Sequence, residues 1–471
     1  MAADNRFTVP ACAAKWLRGQ GHAPYQEMGA DIERWWGWYT GAAEWYGRTA
    51  VAYEGGAARK TRYRCYSIRP ARRVCREWAS LMFDDGTRFA AEDPGANAWL
   101  QRWAASTGLL AIAQRCTERA FALGTGALAL AFSVPEDASA PATMRLRRYD
   151  ARMILPLSWS DEGTTECAFV TEAAVRGQRV TQVQAHVVEG GTYRIRSAYF
   201  DARGRQVTPE GLLADFDTGQ ALPTFCLIRP AVDNLVADMS PLGQSVFEDA
   251  VDAIKAVDDA FDTLVRELAV TKPKVFMADQ LLQTFDGPGG RRVAVPMVPE
   301  ETVIRAVSGY SGGDLIKTFQ PSIRSGEIRD ALDTALAELG DLTGFGQQYF
   351  TLSKRGGPKT ATEVSADSSA LMRNLRKHEV GVGASLSAML TAALSCARSK
   401  MGVPMGDPGA VSVTWDDSII EDTPAEKSQM LAEVSSGVVS PWEYRRRFLG
   451  EDERTARSMA DEARPGAAPV V

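Results

Sequence analysis

The stretch Phe247-Glu-Asp-Ala-Val-Asp-Ala-Ile-Lys-Ala-Val-Asp-Asp-Ala-Phe-Asp-Thr-Leu-Val-Arg-Glu-Leu268 carries the most regular pattern in the chain. Apolar residues recur in it at alternating spacings of three and four, which predicts a helix with a heptad seam along one side. We expect this seam to pack against other helices. It consists of Phe247, Ala250, Ile254, Val257, Phe261, Leu264 and Leu268.

The predicted helix is also strongly acidic. Between Leu242 and Val270, seven acidic side chains are opposed only by Lys255 and Arg266. An acidic helix face repels phosphate, so it does not bind a nucleic acid tightly. Which charges face outward stays open, because rotating the helix by about a third of a turn changes the answer. The candidate acidic face comprises Glu248, Asp249, Asp252, Asp258, Asp259 and Asp262.

A second acidic helix is predicted from Glu327 to Leu342. The segment between the two helices, 274–320, is rich in glycine and proline and contains the strand-like run Arg292–Pro296. The order is therefore long helix, small β module, long helix. A helical hairpin with an inserted β module is a common scaffold and does not by itself specify a function. The apolar stripe of the second helix is Ile328, Leu332, Ala335 and Leu339.

An irregular, glycine-rich loop with a basic tip follows over residues 343–359. Thr360-Ala-Thr-Glu363 is a capping box, with the hydroxyl at the N-cap and the carboxylate three residues later. It begins a long helix that runs toward Arg398. We expect that helix to bend at Gly381 and Gly383.

The C-terminal region is predicted to contain a strand, Val411–Trp415, and then two short helices separated at Gly437. Each helix begins with a capping box that has proline at its first helical position. The two boxes are Thr423-Pro-Ala-Glu426 and Ser440-Pro-Trp-Glu443. The Ala/Pro-rich tail after Arg464 is expected to be disordered.

The N-terminal part, up to about residue 130, is predicted to be mostly helical. From Met144 to Pro230 apolar and polar residues alternate at period two, with turn signals at Gly190-Gly191 and Gly204. This pattern predicts an antiparallel β meander. An aromatic cluster in the N-terminal part is expected to be an anchor in the core or at a subunit interface. It consists of Trp35, Trp36, Trp38, Tyr39, Trp45 and Tyr46.

A basic segment, 59–76, carries eight basic residues and no acidic one, with Tyr63 and Tyr66 interleaved. Such a pattern is typical of nucleic-acid binding by phosphate pairing and base stacking. The helix after Pro70 is expected to bury Val74, Trp78, Leu81 and Met82, so some arginines occupy only its solvated face. Salt bridges between subunits are therefore favoured over contact with DNA. The candidates are Arg62, Arg64, Arg69, Arg72, Arg73 and Arg76.

Composition excludes several classes of protein. The 471 residues are 45% hydrophobic and 24% charged, which is typical of a globular chain. With 53 Lys and Arg against 59 Asp and Glu, the net charge of −6 argues against a protein that coats nucleic acid. The seven cysteines are scattered without a C-x-x-C pair, which indicates a reducing compartment. We find no signal peptide and no apolar run as long as a membrane helix, and expect a soluble, cytoplasmic protein.

Catalytic and cofactor motifs are weak. The three histidines are far apart in sequence, which argues against metal sites and histidine-dependent catalysis. The run 353–360 resembles a phosphate loop, but Ser353 and Pro358 stand where that motif needs glycine. Gly344-Phe-Gly346 begins like a dinucleotide fingerprint, but Tyr349 occupies the third glycine position. We therefore expect no cofactor and no metal ion.

Several segments, in their order and spacing, resemble the portal proteins of tailed bacteriophages, of the type found in phages with long non-contractile tails. Together they cover most of the chain, and none of them is a catalytic motif. They are Ile68-Arg-Pro-Ala-Arg-Arg-Val-Cys-Arg-Glu-Trp-Ala-Ser-Leu-Met-Phe83 leading to Thr117-Glu-Arg-Ala-Phe-Ala-Leu-Gly-Thr-Gly-Ala127, Pro241-Leu-Gly-Gln-Ser-Val-Phe-Glu-Asp-Ala250, Lys359-Thr-Ala-Thr-Glu-Val364, and Trp415-Asp-Asp through Gly437-Val-Val-Ser-Pro441.

This resemblance implies an α+β subunit with a defined order of parts. These are a wing of helices and an antiparallel meander (1–241), a first stem helix (242–270), a small β-containing clip (271–321), a second stem helix (322–342), a tunnel loop (343–360), a long kinked wing helix (361–410), and a C-terminal strand with small crown helices and a disordered tail (411–471). The tunnel-loop residues expected to face DNA are Gln347, Gln348, Lys354, Arg355 and Lys359.

The resemblance also implies a structural, non-enzymatic role. Portal proteins form a ring of about twelve copies at one capsid vertex, and double-stranded DNA passes through the ring during packaging and ejection. The implied partners are the large terminase subunit, head-completion or adaptor proteins, and the major capsid and scaffold proteins, with no membrane. Assembly would take place in the cytoplasm of the bacterial host, and the final location would be the virion.

Two other functions stay open at this point. One is a nucleotide-binding enzyme that uses the glycine-rich loop 344–360. The other is a DNA-binding adaptor that uses the basic segment 59–76. Nucleotide binding abolished by Lys359→Ala would favour the first, and salt-dependent duplex binding by the monomer would favour the second.

Overall fold

The fold is known from a computed structural model of the chain. The structure describes residues 8–54, 57–133, 142–175, 177–208, 213–271, 322–352, 361–415, 423–449, 451 and 453–462, together with five strands between residues 274 and 319. Helices and sheets are mixed along the chain, which confirms the predicted α+β class.

The N-terminal part is mostly helical, as predicted, but it also contains a hairpin that the sequence analysis missed. The hairpin is formed by β1 (Gly47–Glu54) and β2 (Ala57–Arg64), and a short strand, β3 (Arg88–Ala90), lies further along. The first half of the basic segment therefore lies on a strand. The helices are α1 (Ala11–Gly19), α2 (Gly29–Thr40), α3 (Pro70–Met82), α4 (Pro94–Thr107) and α5 (Leu109–Leu123).

Helix α3 forms as its sequence predicts. Pro70 occupies its first turn, where a missing N–H costs nothing, and Val74 and Trp78 on its apolar face are fully buried. The aromatic cluster is an anchor of the core, because Trp35 and Tyr46 are at most 2% exposed. These aromatic rings and α3 belong to the same large apolar core.

The predicted antiparallel meander is confirmed. Strands β7, β8 and β9 pair consecutively in one sheet of order β10-β9-β8-β7-β6, with β11 also on β9, while β12, β4 and β5 form a second sheet. Helix α1 covers the first sheet, and Leu17 lies in a small second core against it. The strands are β4 (Gly126–Ser133), β5 (Thr143–Asp150), β6 (Ile154–Ser160), β7 (Gly163–Val175), β8 (Gln178–Glu189), β9 (Thr192–Asp201), β10 (Gln206–Val207), β11 (Asp215–Asp217) and β12 (Phe225–Ile228).

The acidic heptad stretch forms helix α6 (Val251–Val270), preceded by a single 3₁₀ turn. The helix begins later than the predicted residue 242, because the backbone before it bonds elsewhere. The Gly243 N–H donates to Thr125 Oγ1 at 2.9 Å, and the Val246 N–H donates to the Phe121 carbonyl at 2.9 Å. The start of the stretch is thus attached to the end of α5.

The segment after α6 contains strands, as predicted, and leads into the second acidic helix, α7 (Ser325–Leu342). One sheet has the order β16-β13-β17, and β14 pairs with β15. The predicted strand beginning at Arg292 is confirmed. The strands are β13 (Lys274–Ala278), β14 (Thr284–Asp286), β15 (Arg292–Ala294), β16 (Val303–Val307) and β17 (Ile316–Phe319).

Helix α8 (Ala361–Lys400) is continuous, and the predicted bend is not reflected in any break of its helical structure. Its part 370–400 is long and apolar enough to cross a membrane by length and composition, which corrects the expectation that the chain has no such run. In the fold it is a core helix, because Leu386, Met389 and Leu390 are fully buried among the other elements.

The C-terminal region follows the predicted order and adds one helix. Strand β18 (Ser412–Thr414) pairs with β3, and helices α9 (Thr423–Ser435), α10 (Pro441–Leu449) and α11 (Glu453–Glu462) follow. Of the predicted capping box at Ser440, the carboxylate bond forms, because the Ser440 N–H donates to Glu443 Oε2 at 2.9 Å. The tail after Arg464 lies outside the described residues.

Candidate nucleic-acid interface

Helices α6 and α7 pack against each other along their apolar stripes. Ile254 and Val257 of α6 and Leu336 of α7 are at most 1% exposed and belong to the same core. At the far end the pair is joined by Arg324, whose guanidinium donates two hydrogen bonds of 3.1 Å to Glu267. The stripe on α7 includes Leu336 besides the predicted residues.

The heptad seam of α6 is divided into two halves. Phe247, Ile254 and Val257 are fully buried within the subunit. Phe261 and Leu264 are half-buried, and Leu268 is 51% exposed. The first half is therefore used by this chain's own core, and only the second half has apolar surface left for another subunit.

Asp258 does not lie on an exposed acidic face, which corrects the prediction for this residue. It is fully buried and accepts hydrogen bonds from Tyr46 Oη at 2.7 Å, Ser67 Oγ at 2.8 Å and the Ile68 N–H at 3.0 Å. Burial raises the pKa of Asp258 despite these three bonds. This carboxyl group fastens α6 to the base of the hairpin.

Two more of the predicted acidic residues make contacts within the subunit. Glu248 accepts two bonds from Arg34, at 2.7 and 2.8 Å, and one from Trp35 Nε1 at 2.5 Å. Asp262 accepts the Tyr66 N–H at 2.8 Å and Arg266 Nε at 2.6 Å. Both residues are half-buried, so they hold α6 to α2 and to the hairpin.

Asp249, Asp252 and Asp259 are the exposed members of the predicted acidic face. Two of them have cationic partners. Lys255 donates to Asp252 at 2.7 Å, and Arg48 donates to Asp259 at 2.6 Å. The free negative charge on α6 is therefore smaller than its sequence indicates.

Helix α7 carries an acidic stripe whose carboxylates, unlike most of those on α6, are exposed and lack salt bridges to the described residues. Glu327, Asp330, Glu338 and Asp341 follow one another at helical spacings and are all exposed. Within the described part of the chain, none of these four carboxylates has a cation within salt-bridge distance. They lie on the side of α7 opposite the buried stripe, so packing against α6 turns them outward. The sequence analysis recognised this helix as acidic but did not single out these residues.

The loop after α7 is anchored firmly at its root. The chain turns back onto the helix so closely that a Cβ on Gly340 would lie 2.3 Å from the Gly346 carbonyl oxygen. Trp78 Nε1 donates to the Thr343 carbonyl at 3.1 Å, and Asn374 Nδ2 donates to the Gly344 carbonyl at 2.9 Å. Helices α3 and α8 thus fix the first residues of the loop.

Aromatic and polar contacts extend this anchoring to residue 352. The Phe345 ring lies 4.2 Å from the Trp78 ring, centroid to centroid, and Phe350 is 1% exposed. The Leu352 N–H donates to Asp333 Oδ1 at 2.6 Å. Gln347 and Gln348 remain exposed, as a contact with DNA requires. The basic tip residues Lys354, Arg355 and Lys359 lie outside the described residues.

The basic segment does not form one free patch. The guanidinium groups of Arg64 and Arg69 donate to the backbone carbonyls of Gly41 and Thr40, at the end of α2. Arg69 itself has a positive φ of 59° just before α3. Two of the six predicted arginines are therefore used to close the turn between α2 and the hairpin.

The arginines on α3 have weaker contacts. Arg72 lies 3.7 Å from Glu118 and Arg76 lies 3.7 Å from Glu77. The Arg73 guanidinium lies 4.9 Å from the Phe350 ring centroid, next to the loop root. Arg62 is exposed on β2. Exposed ion pairs of this kind contribute little to stability, so these side chains remain accessible to a partner.

Two of the three histidines, His186 and His378, are buried in the core. Burial lowers the pKa of His186 to about 3 and that of His378 to about 4, so both rings are neutral at pH 7. His186 Nδ1 pairs with Thr224 Oγ1 at 2.7 Å, and His378 Nδ1 accepts the Ala231 N–H at 2.9 Å. Among the described residues no group of histidine, cysteine and acidic side chains could hold a metal ion.

The family "Phage portal protein, SPP1 Gp6-like" matches residues 232–464. This range includes both acidic helices, the β module between them, the loop, α8 and the C-terminal helices. No curated protein matches the chain.

Solved structures show distant overall likenesses. The chain "Neck of native GTA particle computed with C12 symmetry" is 12% identical, with 93% of this chain and 98% of that chain covered and a TM-score of 0.42. The chain "Virion of native gene transfer agent (GTA) particle" is 13% identical, with 82% and 89% covered and a TM-score of 0.39. At these TM-scores the shared geometry is too limited to carry a function across.

Proposed function

We propose that this chain, which over residues 232–464 belongs to the phage portal protein family, is the subunit of a portal ring. The ring would stand at one vertex of the capsid and conduct double-stranded DNA during packaging and ejection. In this role the protein is a structural channel and not an enzyme.

The acidic stripe on α7 is the observation that carries this proposal. A ring brings many copies of Glu327, Asp330, Glu338 and Asp341 around one axis. Carboxylates without cationic partners repel the phosphates of DNA, and a channel that does not neutralise phosphates does not hold the duplex tightly. DNA can then move through the channel with little adhesion.

We assign the parts of the subunit in the order that the family resemblance implies. Residues 1–241 are assigned to the wing, α6 and α7 to the stem, and 271–321 to the clip. The segment 343–360 is the tunnel loop, and α8 with the C-terminal helices completes the wing and crown. The rigid root of the loop, held by Trp78 and Asn374, supports this arrangement because it fixes where the basic tip starts.

The ring would contain about twelve copies, the number that the family resemblance implies, with each subunit contacting the next head to tail so that the rotation closes. The exposed half of the α6 seam, ending at Leu268, is a surface through which neighbours can pack. The large terminase subunit and the head-completion proteins would dock at the clip, the capsid and scaffold proteins would surround the wing, and the final location would be the virion.

Native mass determination together with negative-stain imaging of the purified protein tests this proposal. We expect closed rings with an axial hole wide enough for a duplex. A monomer at every concentration, with tight and salt-dependent duplex binding through the basic segment, would contradict it and favour a DNA-binding adaptor. ATP binding lost in Lys359→Ala would instead favour a nucleotide-binding enzyme.

A further inference from the structure

A cavity of about 390 Å³ lies away from the stem, between the turn joining β6 and β7, the end of β12 and the middle of α8. This volume is within the range of small-ligand sites. Phe225 and Leu227 contribute apolar walls, Arg229 and Glu162 contribute charges, and Gly381 leaves the α8 side open. The cavity thus has a mixed apolar and polar lining that includes two charged groups of opposite sign.

Arg229 is held by a backbone contact, and none of the described carboxylates is its partner. Its Nη1 donates to the Pro241 carbonyl at 3.1 Å, and its aliphatic stem packs close to Gly243. Within the described residues no acidic side chain, including Glu162 in the same cavity, comes within salt-bridge distance of it. Burial lowers the pKa of this guanidinium from its ordinary value. A largely buried cation with a single backbone acceptor is costly for the fold unless a ligand completes its bonding.

We propose that this cavity binds the carboxylate of an acidic side chain presented by a partner polypeptide. The planar fork of Arg229 offers paired N–H donors, which match a carboxylate in a bidentate arrangement. Phe225 and Leu227 receive the methylene groups that carry the carboxylate. This inference does not depend on the ring, because the cavity is complete within one subunit.

Glu162 argues for a carboxylate rather than a phosphate. Its own negative charge, on the exposed side of the same cavity, opposes a dianionic phosphate more than it opposes a single carboxylate. It is also a ready acceptor for a backbone N–H next to the acidic residue. A peptide supplies both the carboxylate and this N–H.

The test uses the full chain and three probes at constant ionic strength: N-acetyl-glutamate N-methylamide, its glutamine counterpart and inorganic phosphate. We expect saturable binding of the glutamate probe alone, seen by calorimetry and as a rise in the melting temperature. Equal binding of the glutamine probe or of phosphate, or no binding of the glutamate probe, would overturn the proposal.

Two variants locate the binding. Arg229→Gln should lower the affinity for the glutamate probe by about tenfold or more, which is the usual cost of losing a hydrogen bond to a charged group. Gly381→Leu should block the cavity without disturbing the fold, because a Cβ there meets nothing within 4 Å. Gly326→Leu, where a Cβ also meets nothing and which lies outside the cavity, is the matched control and should bind normally. Unchanged binding in Gly381→Leu would place the probe elsewhere and refute the assignment.

Discussion

Helix α6 directs Asp258 into the core, where three donors surround it. Helix α7 instead turns Glu327, Asp330, Glu338 and Asp341 to solvent, with no cation of the described residues within salt-bridge distance. The two helices look alike in sequence, since both are amphipathic and acidic. Their carboxylates nevertheless have different structural roles. On α6 most of them hold the helix to the N-terminal part, and on α7 they form a free charged surface.

The difference shows that acidic composition alone does not identify a surface that repels DNA. A carboxylate that accepts hydrogen bonds from its own chain contributes to stability, and its burial keeps it out of reach of a partner. A carboxylate without such bonds contributes little to stability but shapes the electric field around the protein. Substitutions on the two helices should therefore separate these two effects.

Asp258→Ala should have the largest effect on folding. It leaves Tyr46, Ser67 and Ile68 without their buried acceptor, which we expect to lower the free energy of unfolding by about 3 kcal/mol. Urea denaturation measures this value. The matched control is Asp252→Ala on the same helix, whose side chain is 93% exposed and should change stability by less than about 0.5 kcal/mol. Equal losses of unfolding free energy in the two variants would contradict the claim that the buried Asp258 stabilises the fold and the exposed Asp252 does not.

Gly340→Ala extends the comparison to the end of α7. The added methyl group would lie 2.3 Å from the Gly346 carbonyl oxygen, so the loop root must shift, at a cost of about 2 kcal/mol. Gly326→Ala, near the start of the same helix, meets no atom within 4 Å and should be neutral or stabilising by up to about 1 kcal/mol. Thermal unfolding of the two variants measures both changes in stability. A Gly340→Ala variant as stable as the wild type would show that the loop root is not tightly packed against α7.

Asp258 and Asp262 should respond to pH in opposite directions. Burial raises the pKa of Asp258, so protonation favours the folded state, and the wild type should gain stability relative to Asp258→Asn as the pH falls toward 3.8. Burial also acts to raise the pKa of Asp262, but bonds from Arg266 and the Tyr66 N–H outweigh it and lower the pKa below 3.8. The wild type should therefore lose stability relative to Asp262→Asn as the pH falls below 3.8.

Urea titrations of the wild type and the two variants between neutral and acidic pH measure these differences. The same sign for both residues would contradict the hydrogen-bond environments assigned to them. Because both substitutions keep the shape of the side chain, packing changes contribute little to the result.

Neutralising the α7 stripe should have the smallest effect on folding and a clear effect on DNA. Glu327→Gln, Asp330→Asn, Glu338→Gln and Asp341→Asn together should cost less than about 0.5 kcal/mol per site, because no described partner is lost. Duplex binding by the assembled protein should rise, with an affinity that falls as salt is added. Fluorescence anisotropy at several salt concentrations measures both.

A control for net charge neutralises four exposed acidic residues elsewhere. It should leave duplex binding near the wild-type level, since these residues are outside the stem. Equal gains in the two quadruple variants would mean that only total charge matters. The control substitutions are Glu27→Gln, Asp85→Asn, Asp161→Asn and Glu172→Gln.

Regular patterns of sequence predicted much of the fold. The alternation between Met144 and Pro230 is the meander, the capping box at Ser440 starts α10, and the apolar spacing of α3 and α7 marks their buried faces. Such patterns work because each records one local requirement, either a period or a cap. The β1–β2 hairpin was missed because its second strand reads mainly as a run of positive charge. Gly55-Gly56 between the strands was a hairpin signal that could have revealed it.

The candidate site could be predicted only in part. The acidic character of both helices is visible in the sequence, but the burial of Asp258 depends on Tyr46 and Ser67, which are about 200 residues away in the chain. Helix α6 starts late because the residues before it pack against the end of α5. That contact depends on the close approach of Gly124 to Gly243. Long-range contacts of this kind leave no periodic signal, so rotation of the acidic helix could not be fixed in advance.

Cryo-electron microscopy of the assembled protein tests the central claim most directly. We predict a closed ring whose axial channel is lined by Glu327, Asp330, Glu338 and Asp341 of every subunit, with Asp258 buried at the base of the hairpin. A ring in which the α7 stripe lies on the outer surface or inside the subunit contacts, or an assembly without an axial channel, would contradict the account.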